Sequence, residues 1–177
     1  LAAYPFSLGN YPKTNYIVGS HPQLYEFFQQ QPKDILIASL SPEANNLPSF
    51  AQRSIFVGYE YAIPFHRGYY NLLRQRAIDL LQAHYTPDEN QLRQFVEAHD
   101  IDFFLIDTDA FSPEYLLESR WRRSYPQEIH EIRRRLLAGE TPALQGFLET
   151  CGVFYNEDPT ENLAVVAKSC IVKAEPQ

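Results

Sequence analysis

Ile101-Asp102-Phe103-Phe104-Leu105-Ile106 is followed at once by Asp107-Thr108-Asp109. A strand with one solvated face alternates apolar and polar residues, whereas this run is apolar almost throughout. It therefore reads as a strand covered on both faces, the usual state of strands in parallel sheets. Stretches 35–40 and 54–58 have the same character. Between 58 and 101 lie two helical patterns. The first spans about 66–85, with Tyr69, Leu73, Ala77 and Leu80 on one stripe. The second spans 88–99 and offers Leu92, Phe95 and Val96. Two helices between two such strands make an elaborated crossover, so the chain reads as a small layered α/β domain with a mixed, partly parallel sheet.

Proline and hydroxyl residues punctuate the helix starts. Ser20-His21-Pro22-Gln23 has the capping-box pattern, and the helix it opens offers Leu24, Phe27 and Phe28 before Pro32 ends it. Thr86-Pro87-Asp88-Glu89 combines a Thr cap, a first-turn proline and a closing Glu. Ser112-Pro113-Glu114 and Thr141-Pro142-Ala143 repeat the cap-then-proline device, and Ser41-Pro42-Glu43 predicts one short turn.

The C-terminal part is β-rich. Stretches 152–155 and 163–166 flank a polar segment, 156–162, and predict an antiparallel hairpin on one edge of the sheet. Cys151 and Cys170, the two cysteines of the chain, bracket that hairpin. A register pairing Val153 with Lys168 sets them opposite one another, about 4.5–5.5 Å apart at Cα, within disulfide range. Two separate buried thiols are the alternative. A disulfide implies an oxidising compartment, and neither spacing nor number suits a zinc site.

Composition bounds the function classes. The 177 residues are 45% hydrophobic and 21% charged, which suits one folded domain, and the formal net charge of -7 argues against non-specific nucleic-acid binding. No apolar run approaches the roughly 18 residues of a membrane span, and 1–19 has no signal-peptide pattern. The chain begins at Leu1 and contains no methionine, so it is expected to be a processed or excised piece of a longer protein. Segment 1–19, with Tyr4, Phe6, Tyr11 and Tyr16 among two prolines, reads as an extended leader or linker, or else as a membrane-proximal segment. Residues 20–177 are expected to form a single α/β domain.

Candidate site residues follow from the strands. In open α/β sheets ligands bind beyond the carboxyl ends of strands, where Asp107 and Asp109 stand. The DxD spacing can hold a divalent cation against diphosphate oxygens, although Asp is also an ordinary loop and cap residue. Glu43, Asn45 and Glu60 also follow strands, and His66 and Arg67 open the long helix. Parallel strands would gather them on one rim as acid–base groups, or they form a solvated loop surface. His21, His84, His99 and His130 show no metal-ligand spacing. No Walker lysine loop, GxGxxG or GxSxG is present, so no catalytic residue, resident metal or cofactor is assigned. Arg120, Arg122, Arg123, Arg133, Arg134 and Arg135 cluster around Trp121. They read as a solvated face paired with Glu118, Glu128 and Glu131. The alternative is a patch for anionic headgroups or phosphorylated sugars that stack on Trp121.

The segment from Leu24, LYEFFQQQPKDILIASLSPEANNLPSFAQRSIFVGYEYAIPFHRGYY, and that from Leu72, LLRQRAIDLLQAHYTPDENQLRQFVEAHDIDFFLID, carry a resemblance. Its elements are PKD before a strand, Arg53 before FVG, an aromatic-and-His segment opening a long helix with Arg74, Arg76 and Asp79, then YTPDE and IDFFLID. About half the chain resembles the soluble C-terminal domain of bacterial, especially cyanobacterial, polytopic membrane proteins. Those proteins are similar to glycosyltransferases of the dolichyl-phosphate-mannose protein mannosyltransferase type. The resemblance implies an extracytoplasmic, periplasmic location and attachment to membrane-spanning segments. It also implies a catalytic acid elsewhere in the parent, so no catalytic residue carries over here. The expected function is that of a non-catalytic accessory or binding domain. Its partners would be its own membrane-embedded region and a carbohydrate or lipid-linked sugar, not nucleic acid. A small metal-dependent sugar- or phosphoryl-transferring enzyme using Asp107 and Asp109 is the alternative.

Overall fold

A computed structural model describes residues 19–62, 65–158 and 161–173, so the leader expected at 1–19 lies outside the described residues except for Gly19. Helix α1 (Pro22–Gln30) precedes strand β1 (Leu36–Ser39), a 3-10 turn (Pro42–Asn45), helix α2 (Leu47–Phe50) and strand β2 (Ser54–Ile55). A second 3-10 turn (Tyr59–Tyr61) leads to helices α3 (Arg67–His84) and α4 (Glu89–Ala98), then strand β3 (Phe103–Asp107). Helices α5 (Tyr115–Glu118), α6 (Trp121–Ser124), α7 (Pro126–Leu137) and α8 (Ala143–Cys151) follow. Strands β4 (Val153–Asp158) and β5 (Glu161–Ala167) and helix α9 (Lys168–Lys173) close the chain.

The five strands form one mixed sheet in the order β2-β1-β3-β5-β4. Strand β1 lies parallel to both β2 and β3, and β3, β5 and β4 pair antiparallel. The α3–α4 pair carries the chain from β2 past β1 to β3, as the crossover reading expects. Alternate residues of the central strands feed different cores. Ala38, Phe104, Ile106, Ala164 and Val166 point to a large core built with α3, α4, α7, α8 and α9. Ile37, Leu105, Leu163 and Val165 point to a smaller core capped by α1 and α2. Continuous apolarity in β3 is thus the sequence trace of a sheet sandwiched between two helical layers. Among the described residues no helix is long and apolar enough to cross a membrane.

Local details depart from the sequence expectations at several termini. Helix α1 begins at Pro22 with His21 at its N-cap and no side chain capping it, so the Ser20 box does not form. Proline favours the first helical position and fixes the start there. Helix α4 is capped by Asp88 rather than Thr86; Asn90 N donates to its carboxylate at 2.8 Å. Thr86 caps the approach instead, accepting from Asp88 N at 3.2 Å. Ser41 does cap its 3-10 turn, accepting from Glu43 N at 3.2 Å. On α3, Leu73, Ala77 and Leu80 are buried while Tyr69 is exposed.

The hairpin also differs from its expected register. Val153 pairs with Val165, not Lys168. Much of the polar segment 156–162 belongs to the strands, which run on past the point where β3 stops pairing at Asp107–Leu163. Beyond that point the hairpin needs no apolar faces, so its polarity marks an overhang rather than a loop. Cys151 and Cys170 are joined in a disulfide nonetheless, with Cα atoms 6.5 Å apart. The bond links the last residue of α8 to α9, not two opposed strand positions.

Candidate functional site

Past the carboxyl ends of β1 and β3 the chain leaves the sheet in two directions and opens a cleft of about 380 Å³. Asp107, Thr108 and Asp109 form its floor, Ser41 and Tyr59 one wall, and Tyr115 and Trp121 another. Asn162, from the hairpin overhang, closes a further side. Asp107 organises this space. One carboxylate oxygen accepts from Ser41 Oγ at 2.8 Å and the other from Tyr115 OH at 2.5 Å. Burial, reinforced by the Asp107 charge, pushes the Tyr115 phenol far above its ordinary range and keeps it a neutral donor. Asp109 is exposed at the mouth, and its carbonyl accepts from Ser112 N at 2.9 Å.

The aromatic wall is fixed from behind. Trp121 is only 4% exposed and its indole N–H donates to Leu40 O at 2.8 Å. Tyr59 meets it edge to face at 5.4 Å between ring centroids. Tyr125 packs beside it at 5.8 Å. The indole face expected to stack on a phosphorylated sugar is therefore covered, and Tyr59 is the ring offered to the cleft.

The other sequence candidates do not gather on one rim. Glu43 is buried below the turn, where Tyr25 OH donates to it and Asn46 Nδ2 does so at 2.9 Å. Burial and the Glu43 carboxylate together raise the Tyr25 phenol well above its usual value. Glu60 is exposed and ion-paired with Arg120 at the cleft margin. His66 and Arg67 are exposed at the start of α3 and line none of the cleft. Ser41, Tyr59, Tyr115 and Asn162 were not singled out by sequence reasoning. The Ser-Pro-Glu signals at 41–43 and 112–114 marked the turns that deliver Ser41 and Tyr115, but as caps rather than as cleft residues.

Half of the arginine cluster is ion-paired among the described residues. Arg134 pairs with Glu131, as expected, while Arg135 pairs with Glu140 at 3.3 Å and Arg120 with Glu60. Arg122 Nη1 donates to Leu117 O at 2.8 Å. Among the described residues no three His, Cys, Asp or Glu side chains come together as a metal-binding set. Chemically, the cleft offers hydroxyl, carboxylate and amide groups beside an aromatic ring, a set suited to a neutral polyhydroxylated ligand.

No family model matches the chain, and no curated protein matches it in sequence. Among solved structures it is similar to the C-terminal globular domain of an oligosaccharyltransferase from Archaeoglobus fulgidus. The TM-score is 0.50 at 10% sequence identity, with 86% of this chain and 98% of that chain covered. At this identity the likeness is one of fold. The disulfide, independently, fits an oxidising compartment.

Proposed function

We propose that the chain is a non-catalytic, extracytoplasmic accessory domain of a membrane-embedded glycosyltransferase-like protein, and that its cleft holds a carbohydrate portion of donor or acceptor. The observation that carries this reading is the likeness in fold to a domain of an oligosaccharyltransferase, which covers 98% of that domain. The resemblance of 24–107 to bacterial mannosyltransferase-type membrane proteins points the same way and adds the periplasmic side and the attachment to membrane-spanning segments. In this reading Asp107 is a positioning residue, since both its oxygens already accept hydrogen bonds from Ser41 and Tyr115. Tyr59, Thr108 and Asp109 are the contact groups. The other sequence candidates, Glu43, Glu60, His66 and Arg67, do not line the cleft.

The test is a titration of the ¹⁵N-labelled chain with neutral oligosaccharides, run beside a transfer assay. The assay uses Mn²⁺ with a nucleotide sugar and, separately, a polyprenyl-phosphate sugar. Shift changes at Tyr59, Thr108 and Asp109 are expected, weakened about tenfold in Tyr59→Ala, with no sugar transfer. A stacking aromatic contributes on the order of 1–1.5 kcal/mol, which is that factor. Turnover by the chain alone that Asp107→Asn abolishes would overturn the reading in favour of the metal-dependent transferase.

A further inference from the structure

From Tyr61 to Ile78 the chain has no Asp or Glu, although its formal net charge is -7. The same stretch holds Arg67, Arg74 and Arg76 together with four aromatic side chains and His66. Leu73 and Ala77 serve the core, but several other apolar groups of the stretch do not. Phe65 is 89% exposed, Leu72 55%, Tyr69 49% and Tyr61 37%. Tyr61, Tyr69 and Leu72 border an apolar groove of about 270 Å³ floored by Ile55, Phe56 and Leu73.

Helical spacing orders this surface. Tyr69, Leu72 and Arg76 recur at three and four residues and share one side of α3. Arg76 lies over the Phe56 ring at 5.2 Å, so its charge stays beside the groove. Arg67 and Arg74, seven residues apart, share the other side, are exposed, and make no ion pair among the described residues. Tyr59 packs on Trp121 at 5.4 Å between ring centroids, so the turn Tyr59–Tyr61 also adjoins the segment bearing Arg122 and Arg123, both exposed.

Exposed Tyr, Phe and Leu beside unpaired arginines, with no acid from Tyr61 to Ile78 and the neighbouring Glu60 neutralised by Arg120, are the composition of a surface that rests at the water–lipid boundary of an anionic bilayer. We propose that the 3-10 turn at Tyr59–Tyr61 and the first turns of α3 form a membrane-contact face, with Phe65, Tyr69 and Leu72 inserting and Arg67 and Arg74 engaging lipid phosphates. The basic face complements lipid phosphates, and two copies of a chain with formal net charge -7 repel one another, which commits the face to lipid rather than to a second copy. The turn Tyr59–Tyr61 joins the two surfaces, since Tyr59 lines the cleft and Tyr61 the groove. Docking would therefore hold the cleft mouth beside the bilayer. This inference shares only the membrane-side placement with the function proposed above. Vesicle binding is read without any glycan, so the two fail separately.

The experiment is flotation of the 177-residue chain with vesicles of phosphatidylcholine alone and with 30% (about a third) phosphatidylglycerol, a level at which surface charge dominates. Binding to the anionic vesicles, weakened by salt, is expected. Phe65→Ser/Tyr69→Ser/Leu72→Ser should weaken it at least tenfold, and Arg67→Gln and Arg74→Gln roughly fivefold each. All five positions are exposed, so unchanged thermal melts should accompany those losses. A Phe65→Trp variant should shift its emission to the blue on mixing. Three outcomes overturn the proposal: no binding to anionic vesicles, equal binding to both vesicle types, or binding indifferent to the substitutions. Self-association abolished by the triple variant, without vesicle binding, would assign the face to a second copy instead.

Discussion

His84 ends α3 fully buried, with neither ring nitrogen hydrogen-bonded among the described residues. It stacks on Phe111 at 5.3 Å and meets Tyr85 and Phe104. Burial alone depresses its pKa to about 3. A depressed histidine means that the unfolded chain takes up a proton that the folded chain refuses, between the ordinary value near 6.5 and about 3. Stability is thus intact above that ordinary value and falls as pH drops through the window, by up to ~1.4 kcal/mol per pH unit from this residue. His84→Leu removes both the unpaired nitrogens and the titration. Urea melts at pH 7 and pH 4.5 should show the variant gaining on the parent as pH falls, and an unchanged difference would refute the account. Ser41 and Glu43 work oppositely, as satisfied polar groups. From one turn, Ser41 donates to Asp107 on the cleft side and Glu43 accepts from Tyr25 on the other face of the sheet. Arg53 does similar work, its guanidinium donating to the carbonyls of Gln29, Gln31, Ala51 and Gln52 and so tying the end of α1 to the entrance of β2.

At the scale of elements, the disulfide separates what the sequence carried from what it could not. The strands at 35–40 and 101–106, the α3–α4 crossover and the edge position of the hairpin were all legible, because each is written in a run or period of apolar residues. The register was not. Polarity at 156–162 reads identically for a loop and for a two-stranded overhang, and the extra pairing moved the partner of Val153 by three residues. Cys170 then fell in α9, and the bridge reached Cys151 through helix packing on the large core. Nor could spacing reveal the cleft, because Ser41, Tyr59, Tyr115 and Asn162 meet only after four separate stretches of chain are folded together. The bridge closes a loop with a sequence separation of 19. Loop entropy of that size corresponds to about 3 kcal/mol. Cys151→Ser/Cys170→Ser should lower Tm by roughly 6–12 °C, as would reductant added to the parent. Tm equal in oxidised and reduced chain would show that the bridge constrains nothing.

For the whole molecule the deciding fact is that one sheet serves two cores. Phe104 and Ile106 belong to the large core and Leu105 to the small one, and Val166 and Val165 divide in the same way. Neither core can loosen without releasing β3 and β5, so the helical layers on opposite faces are expected to unfold in one transition despite their unequal size. Leu80→Ala tests the large core, and Phe28→Ala the small one, where Phe28 packs edge-on against Phe103 at 5.8 Å. Each truncation removes a fully buried side chain and should cost about 3–5 kcal/mol. Both should therefore move the same thermal transition down by on the order of 10 °C. Far-ultraviolet circular dichroism and aromatic fluorescence must shift together in each variant. If Phe28→Ala instead produced an early phase while the Trp121 signal held, the layer of α1 and α2 would be a separately melting unit, and the alternation in β3 and β5 would not couple the two cores.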